Sequence, residues 1–261
     1  MKFDYLELIK DNQVATVWLS RPDVHNAFNE GVIGELQTCF DALAHDDDVR
    51  VVVLAGRGKS FSAGADLNWM KKAGEASVDE NIADAKRLAK MLHTLATLNK
   101  PTIARVQGAA LGGGMGLVSA CDICVASTHA KFATSEVRLG LAPSTISPYV
   151  VRAIGERQAR RYFLTAERID ADTALHIGLA HEICEPDALD ETLDKIIHAI
   201  LQGAPFAQCA SKSLIDMVAN RPIDDQLLDE TAKHIATLRQ GAEAKEGLTA
   251  FLNKRTPNWI V

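Results

Sequence analysis

The sequence predicts an α/β protein in which strands alternate with helices and a helical segment closes the chain. Three observations carry this. Residues 49–55 form a near-continuous apolar run, which suits a strand covered on both faces, as in a parallel sheet. Strand-like and helix-like periods alternate up to about residue 185, a pattern that calls for right-handed crossovers. From Asp187 onward helical periods dominate, broken at Pro205, Pro222 and Gly241, with no clear strand before the tail. The expected division is 1–185 for the α/β core and 186–261 for the helical part. No low-complexity linker separates them, and there is no internal repeat.

Val14 to Leu19 reads as a strand that ends where Arg21-Pro22-Asp23 breaks it. Asn29 is placed to cap a helix in which Ile33, Leu36, Phe40 and Leu43 recur at helical spacing. Asp46-Asp47-Asp48 turns the chain into the apolar strand. A close-backbone turn, Phe61-Ser62-Ala63-Gly64-Ala65-Asp66, comes next, followed by a polar stretch. Ile82, Ala85, Ala89, Leu92 and Leu95 then share one helical face, which Pro101 terminates. The next strand covers 102–106. A loop holding Gly112, Gly113, Gly114 and Gly116 leads into a short helix through Leu117 and Val118, and 123–126 is a further strand.

Composition narrows the function classes. With 261 residues, 47% hydrophobic and 24% charged, the chain has the make-up of a soluble globular enzyme. Its net charge of -6, spread without blocks, lacks the basic stripe that nucleic acid requires. Lys71-Lys72 and Arg160-Arg161 read as solvated helix faces. The five cysteines are an odd number at unrelated spacings. Cys121-Asp122-Ile123-Cys124 has the spacing of a redox or metal motif, but it lies in an apolar run without a second pair. Free buried thiols point to a reducing compartment. The opening Met1-Lys2-Phe3-Asp4-Tyr5 shows no charged-then-apolar leader, and no apolar run approaches the ~20 residues of a membrane span. A cytoplasmic protein without membrane or nucleic-acid partners is the expectation.

Two motifs fail on inspection. Gly56-Arg57-Gly58-Lys59-Ser60 invites a phosphate-loop reading, but Val53 stands where that motif needs its first glycine. The glycine loop is not a dinucleotide fingerprint either, because Leu117 occupies the required sixth position. His176 and His181 are spaced to fall on different faces of a helix, and neither Ser62 nor Ser135 has the glycine-flanked nucleophile turn. No metal and no separate cofactor are expected.

Glycines in a row cost backbone entropy, so a loop with four of them needs the absence of side chains. A tight strand-to-helix turn needs one or two. Four suggest that backbone N–H groups approach a ligand closely at a helix N-terminus, where the dipole favours developing negative charge. The turn at 61–66 supplies a second such element, and Ser135-Glu136 a nearby carboxylate. Two amides aimed at one carbonyl oxygen, with a carboxylate to move a proton, are equipment for stabilising a thioester enolate.

These residues carry a resemblance. Ser62-Ala63-Gly64-Ala65-Asp66-Leu67, Gly108-Ala109-Ala110-Leu111-Gly112-Gly113-Gly114 and Ala120-Cys121-Asp122-Ile123 are similar to the crotonase (enoyl-CoA hydratase/isomerase) superfamily. So is 132–140, Phe-Ala-Thr-Ser-Glu-Val-Arg-Leu-Gly, and so are Leu164-Thr165-Ala166-Glu167-Arg168-Ile169, Ala174 and Gly178-Leu179. The likeness covers nearly the whole chain in order. It implies a crotonase-like spiral of ββα units whose C-terminal helices build a trimer or a dimer of trimers, and an acyl-CoA thioester as substrate, so that coenzyme A arrives as part of the substrate. The amides of Ala65 and Gly113 would form the oxyanion hole and Glu136 the acid/base. Ala63, Asp66, Leu67, Asn68 and Gly112 fall at substrate-binding positions, with Arg21, Asn26 and Ala27 at the adenine end. Phe251 and Lys254 would reach the CoA of a neighbouring subunit.

The chain departs from the pattern at one place. Hydratases of this superfamily with two carboxylates carry the first just after the glycine loop, where this chain has Gly116; only the second acid, Glu136, is kept. One carboxylate can serve twice in a syn addition of water, provided burial raises its pKa. It equally suits a Δ3/Δ2-enoyl-CoA isomerase, and a non-catalytic CoA-ester or RNA-binding protein is a third reading, against which the net charge argues. Ala65-Asp66-Leu67-Asn68-Trp69-Met70 and Ile146-Ser147-Pro148-Tyr149 resemble the methylglutaconyl-CoA and isohexenylglutaconyl-CoA hydratases. Their substrates carry a distal carboxylate, for which Arg138, Lys72 and Arg87 are the candidate cations.

Overall fold

The computed structural model describes residues 2–260. In chain order its strands are β1 (Leu6–Asp11), β2 (Val14–Leu19), β3 (Val51–Gly56), β4 (Thr102–Val106), β5 (Ala109–Leu111), β6 (Ile123–Ser127), β7 (Lys131–Ala133), β8 (Ile169–Asp170) and β9 (Glu182–Cys184). Its helices are α1 (Glu30–Ala44), α2 (Leu67–Glu75), α3 (Val78–Ala96), α4 (Gly113–Ala120), α5 (Ser147–Thr165), α6 (Ala171–His176), α7 (Leu189–Leu201), α8 (Pro205–Val218), α9 (Asp225–Gln240) and α10 (Ala242–Leu252). The chain forms two compact units, one from the segments ending at Leu98 and spanning Thr102–Asp194, the other from Asn99–Pro101 and the chain from Lys195 on.

The first unit is built on a six-stranded sheet in the order β1-β2-β3-β4-β6-β9. β1 and β2 pair antiparallel, and every later neighbour pairs parallel. β3 is apolar throughout because all its residues are buried, whereas β2 alternates buried with half-buried positions. A second, three-stranded sheet, β5-β7-β8, stands apart and carries the glycine loop at the end of β5. Asn29 caps α1, its Oδ1 accepting the Val32 N–H at 2.9 Å. Val32, Ile33, Leu36, Phe40 and Leu43 are buried on that helix.

α3 starts with a capping box between Ser77 and Glu80, but its buried face differs from the expected one. Leu88, Met91, Leu92 and Leu95 are buried, while Ile82 and Ala85 are exposed. The apolar stripe therefore packs only along the second half of the helix. The polar stretch before it is itself a helix, α2, which buries none of its residues and so gives no apolar period to read. All five cysteines are free. Burial pushes the thiol of Cys124 up to about 12, so without a metal it is protonated at neutral pH.

The second unit consists of helices. Glu243 accepts the N–H groups of Phe206 and Ala207 at 2.9 and 3.0 Å, tying α10 to the first turn of α8. Arg255 grips Glu246 with two bonds of 2.6 and 2.7 Å, and this hydrogen bonding holds the Glu246 carboxyl at about 2. Among the described residues the tail adds no strand. Among the described residues no helix is long and apolar enough to cross a membrane.

Candidate active site

Two loops are stitched together by backbone hydrogen bonds. Ser62 N–H donates to Ala109 O at 3.0 Å and Leu111 N–H donates to Ser62 O at 2.9 Å. This sets the turn at 61–66 beside β5. The turn is held on its other side by Phe28 N–H to Gly64 O and Asp66 N–H to Phe28 O, both 2.7 Å, and by Ala63 N–H to His25 O at 2.9 Å. Gly64 N–H donates to Ser62 Oγ at 3.3 Å. Among the described residues the N–H of Ala65 has no acceptor, and the residue is half-buried between buried Gly64 and Asp66.

The second loop repeats the arrangement. Gly112 N–H donates to Ala133 O at 2.8 Å and Gly116 N–H to Gly112 O at 3.0 Å. Gly113 opens α4, where a first-turn N–H has no partner within its own helix, and no side chain caps it. Gly113 too is half-buried between buried neighbours. Two unspent donors thus follow directly on two glycines that touch. Gly64 has φ +93° and Gly112 φ +50°, a region that L side chains rarely enter. A Cβ on Gly64 would also lie 3.0 Å from Leu111 O and 3.9 Å from Gly112 Cα, so a side chain there would push the loops apart.

Glu136 opens a short 3-10 turn, Glu136–Leu139. Its Oε1 lies 3.3 Å from where a Cβ on Gly112 would stand, and its buried Oε2 has no hydrogen-bond partner among the described residues. Burial raises the carboxyl pKa, and its own backbone N–H offsets this only in part. The result is a carboxylate with enhanced basicity against the backbone that precedes Gly113. Negative charge forming near the α4 N-terminus would meet the Gly113 N–H and the helix dipole.

The other residues singled out in the sequence occupy the rim or hold the loops. Asp66 caps α2, its Oδ1 accepting Asn68 N–H at 2.9 Å while Oδ2 pairs with Arg21 at 3.1 Å. Burial acts to raise the Asp66 pKa, but the Asn68 N–H and the Arg21 guanidinium outweigh it and hold the carboxyl below its usual range. Arg21 also donates to Ala27 O at 2.6 Å and lies 5.3 Å from the Tyr5 ring centre. Asn26, buried and at φ +56°, bonds Arg21 N–H, Arg57 O and Ser60 O. Ala27 is buried. Leu67 is 82% exposed beside the Ala65 amide, and Asn68 is exposed on the first turn of α2. Among the candidate cations Lys72 pairs with Glu30 at 2.9 Å and Arg87 with Asp84 at 2.6 Å. Arg138 is exposed, in the same turn as Glu136, with no ion-pair partner among the described residues. Phe251 and Lys254 are exposed at the end of α10.

Three contributors were not legible beforehand. Phe28, 1% exposed, lies where a Cβ on Gly113 would come within 2.7 Å of its ring, so it sets the position of that amide. Gln107 donates one Nε2 to the carbonyls of Gly56, Gly58 and Ser60 at 2.7, 3.1 and 3.0 Å, tying the end of β4 to the approach of the first turn. Ile146 covers Gly116, where a Cβ would lie 2.3 Å from its Cγ2; the likeness at 146–149 marked the residue but not this contact. Phe28 and Gln107 carry no motif, and only the place of Phe28 just before an N-cap hinted at it. Among the described residues no group of three or more His, Cys, Asp or Glu side chains could hold a metal ion.

Comparison with known proteins gives the family. Residues 10–260 match the family described as enoyl-CoA hydratase/isomerase. A short-chain-enoyl-CoA hydratase of Clostridium acetobutylicum is 34% identical over 98% of this chain and 97% of its own. A trans-2-decenoyl-[acyl-carrier-protein] isomerase of Streptococcus mutans is 31% identical over 98% of each. The crystal structure of an enoyl-CoA hydratase from Shewanella pealeana superposes with a TM-score of 0.96 at 43% identity, covering 99% of this chain and 97% of that one. The chain belongs to the enoyl-CoA hydratase/isomerase family and has the crotonase fold. It is an enzyme of the enoyl-CoA hydratase type, a hydro-lyase for unsaturated acyl-CoA thioesters.

Proposed function

We propose that this enzyme adds water to a 3-methylglutaconyl-CoA-type substrate, giving a 3-hydroxy-3-methylglutaryl-CoA-type product, with Glu136 as its only proton carrier. The observation that carries the mechanism is the half-buried Glu136 carboxylate against Gly112, its Oε2 without a hydrogen-bond partner among the described residues, beside the free amides of Ala65 and Gly113. In the forward direction Glu136 accepts a proton from water as the water oxygen bonds to the β-carbon. The thioester oxygen becomes an enolate oxygen, which the two N–H groups stabilise. Glu136 then returns that proton to the α-carbon on the same face, so one carboxylate serves both steps. Gly112 and Ala63 shape the backbone of the hole. Asp66, Leu67 and Asn68 form its rim on the CoA side, and Ala27 lies toward the adenine end.

The preference for an acyl group with a distal carboxylate rests on the likeness of 65–70 and 146–149 to hydratases of such substrates, and on Arg138 as an exposed cation without an ion-pair partner. The helical second unit, with Phe206, Leu248, Phe251 and Leu252 exposed, serves assembly into a trimer or a dimer of trimers. A second reading, Δ3/Δ2-enoyl-CoA isomerisation through the same acid, is favoured by the glycine at 116 and by the isomerase relative. A turnover panel of unsaturated CoA esters, with products identified by mass, tests both. Hydration of the 3-methylglutaconyl ester above straight-chain esters, lost in Glu136→Gln with binding retained, is expected. Conjugation of a 3-enoyl ester without uptake of water, as the main reaction, would replace hydration by the second reading.

A further inference from the structure

Gly112 caps α4 and Gly116 lies one turn further on, its N–H donating to Gly112 O at 3.0 Å. The Glu136 carboxylate touches the Gly112 end of that turn. At the Gly116 end a Cβ would lie 2.3 Å from Ile146 Cγ2 and 2.8 Å from Ile146 Cβ, distances that no side chain tolerates. Ile146 is 2% exposed and sits at the start of α5, so its side chain is wedged against bare helix backbone. The loop from Glu136 to Ile146 is drawn in by Leu141 N–H to Glu136 O at 3.1 Å and Ser147 N–H to Pro143 O at 2.9 Å. The acid and the isoleucine are thus the two ends of one loop folded onto the first turn of α4 and its cap.

We propose that Ile146 is a specificity-determining residue: by seating itself on Gly116 it keeps any second side chain, and any water such a side chain would hold, away from Glu136. The inference rests on Glu136 being the acid/base. With isoleucine packed where a second acid would stand, Glu136 is left as a single proton carrier, and proton transfer between substrate carbons competes with attack by water. The Gly116–Ile146 pair therefore sets the partition between hydration and double-bond migration.

The experiment compares Gly116→Glu, Ile146→Ala, the double variant and Glu136→Gln. Each is measured for Tm and for the rates of hydration of a 2-enoyl-CoA and isomerisation of a 3-enoyl-CoA. Gly116→Glu alone is expected to lower Tm by several degrees, because the new side chain meets Ile146. Adding Ile146→Ala is expected to recover most of that loss, and the folded double variant to raise the hydration-to-isomerisation ratio at least tenfold. A double variant no more stable than Gly116→Glu, or one that folds with the ratio unchanged, overturns the proposal. If Glu136→Gln keeps both activities, the acid assignment itself fails, an outcome separate from the steric coupling between 116 and 146.

Discussion

Removing one main-chain donor without disturbing the loop is feasible at Gly113. It is the first residue of α4, where the N–H has no intrahelical partner and where proline is well tolerated. Gly113→Pro deletes that N–H and leaves the ladder of α4 intact. Proline also brings a Cβ, which would lie 2.7 Å from Phe28 Cε2 and 2.8 Å from Cδ2, and the ring must yield. Gly113→Ala brings the same Cβ and keeps the N–H, so the ratio of the two variants isolates the hydrogen bond. Loss of one oxyanion-hole donor costs ~2.7–4 kcal/mol, or ~10²–10³ in kcat. Steady-state hydration of an α,β-unsaturated acyl-CoA, followed by loss of conjugated thioester absorbance, is the assay, with Tm recorded for both proteins. The proline variant should be slower than the alanine variant by that factor at similar Tm. Equal rates from two folded variants would refute the role of this amide.

Glu136→Gln should stabilise the fold at neutral pH. Its folded-state pKa is raised above 4.5 by burial, so the native state holds the proton more tightly than the unfolded chain, and stability falls as pH rises above that value. Chemical denaturation should show the variant ahead by about 1 kcal/mol at pH 7, the lower cost of an unsatisfied buried acceptor, with the gain disappearing by pH 4. Asp66 has the opposite sign. Its folded pKa lies below 3.8, so its contribution is complete above that value and fades as pH falls through the folded pKa. Asp66→Ala should cost about 1 kcal/mol at pH 7, the usual worth of an N-cap, with the deficit shrinking in acid unfolding titrations. Burial pushes the thiols of Cys39 and Cys124 up to about 12. Alkylation at pH 8 followed by peptide mass mapping should therefore leave both unlabelled until the protein is denatured.

What could be read from the sequence was what has a period or a cap. β2 and β4 fall at the expected residues, because alternation and apolar runs mark them. α1 begins at its Asn29 cap. The three-residue strands β5 and β7 went unread because so short a segment shows no period. α2 went unread because a helix that buries nothing carries no stripe. At the site, the glycines announced close backbone approach, since φ +50° with ψ -118° at Gly112 is backbone that L side chains rarely adopt. The likeness at 146–149 and the apolar residue before the Asn29 cap marked Ile146 and Phe28 without telling what either side chain does. Their roles come from which backbone they press against, a tertiary fact that an apolar letter does not encode.

The central claim, that the Ala65 and Gly113 amides converge on the thioester oxygen next to Glu136, is tested most directly by a crystal structure of Glu136→Gln with an unsaturated acyl-CoA bound. The account predicts that oxygen 2.7–3.1 Å from both nitrogens, the span expected of an oxyanion hole, with the residue 136 side chain within reach of the α- and β-carbons. A thioester oxygen bonded to neither amide, or an acyl chain running away from residue 136, would contradict it.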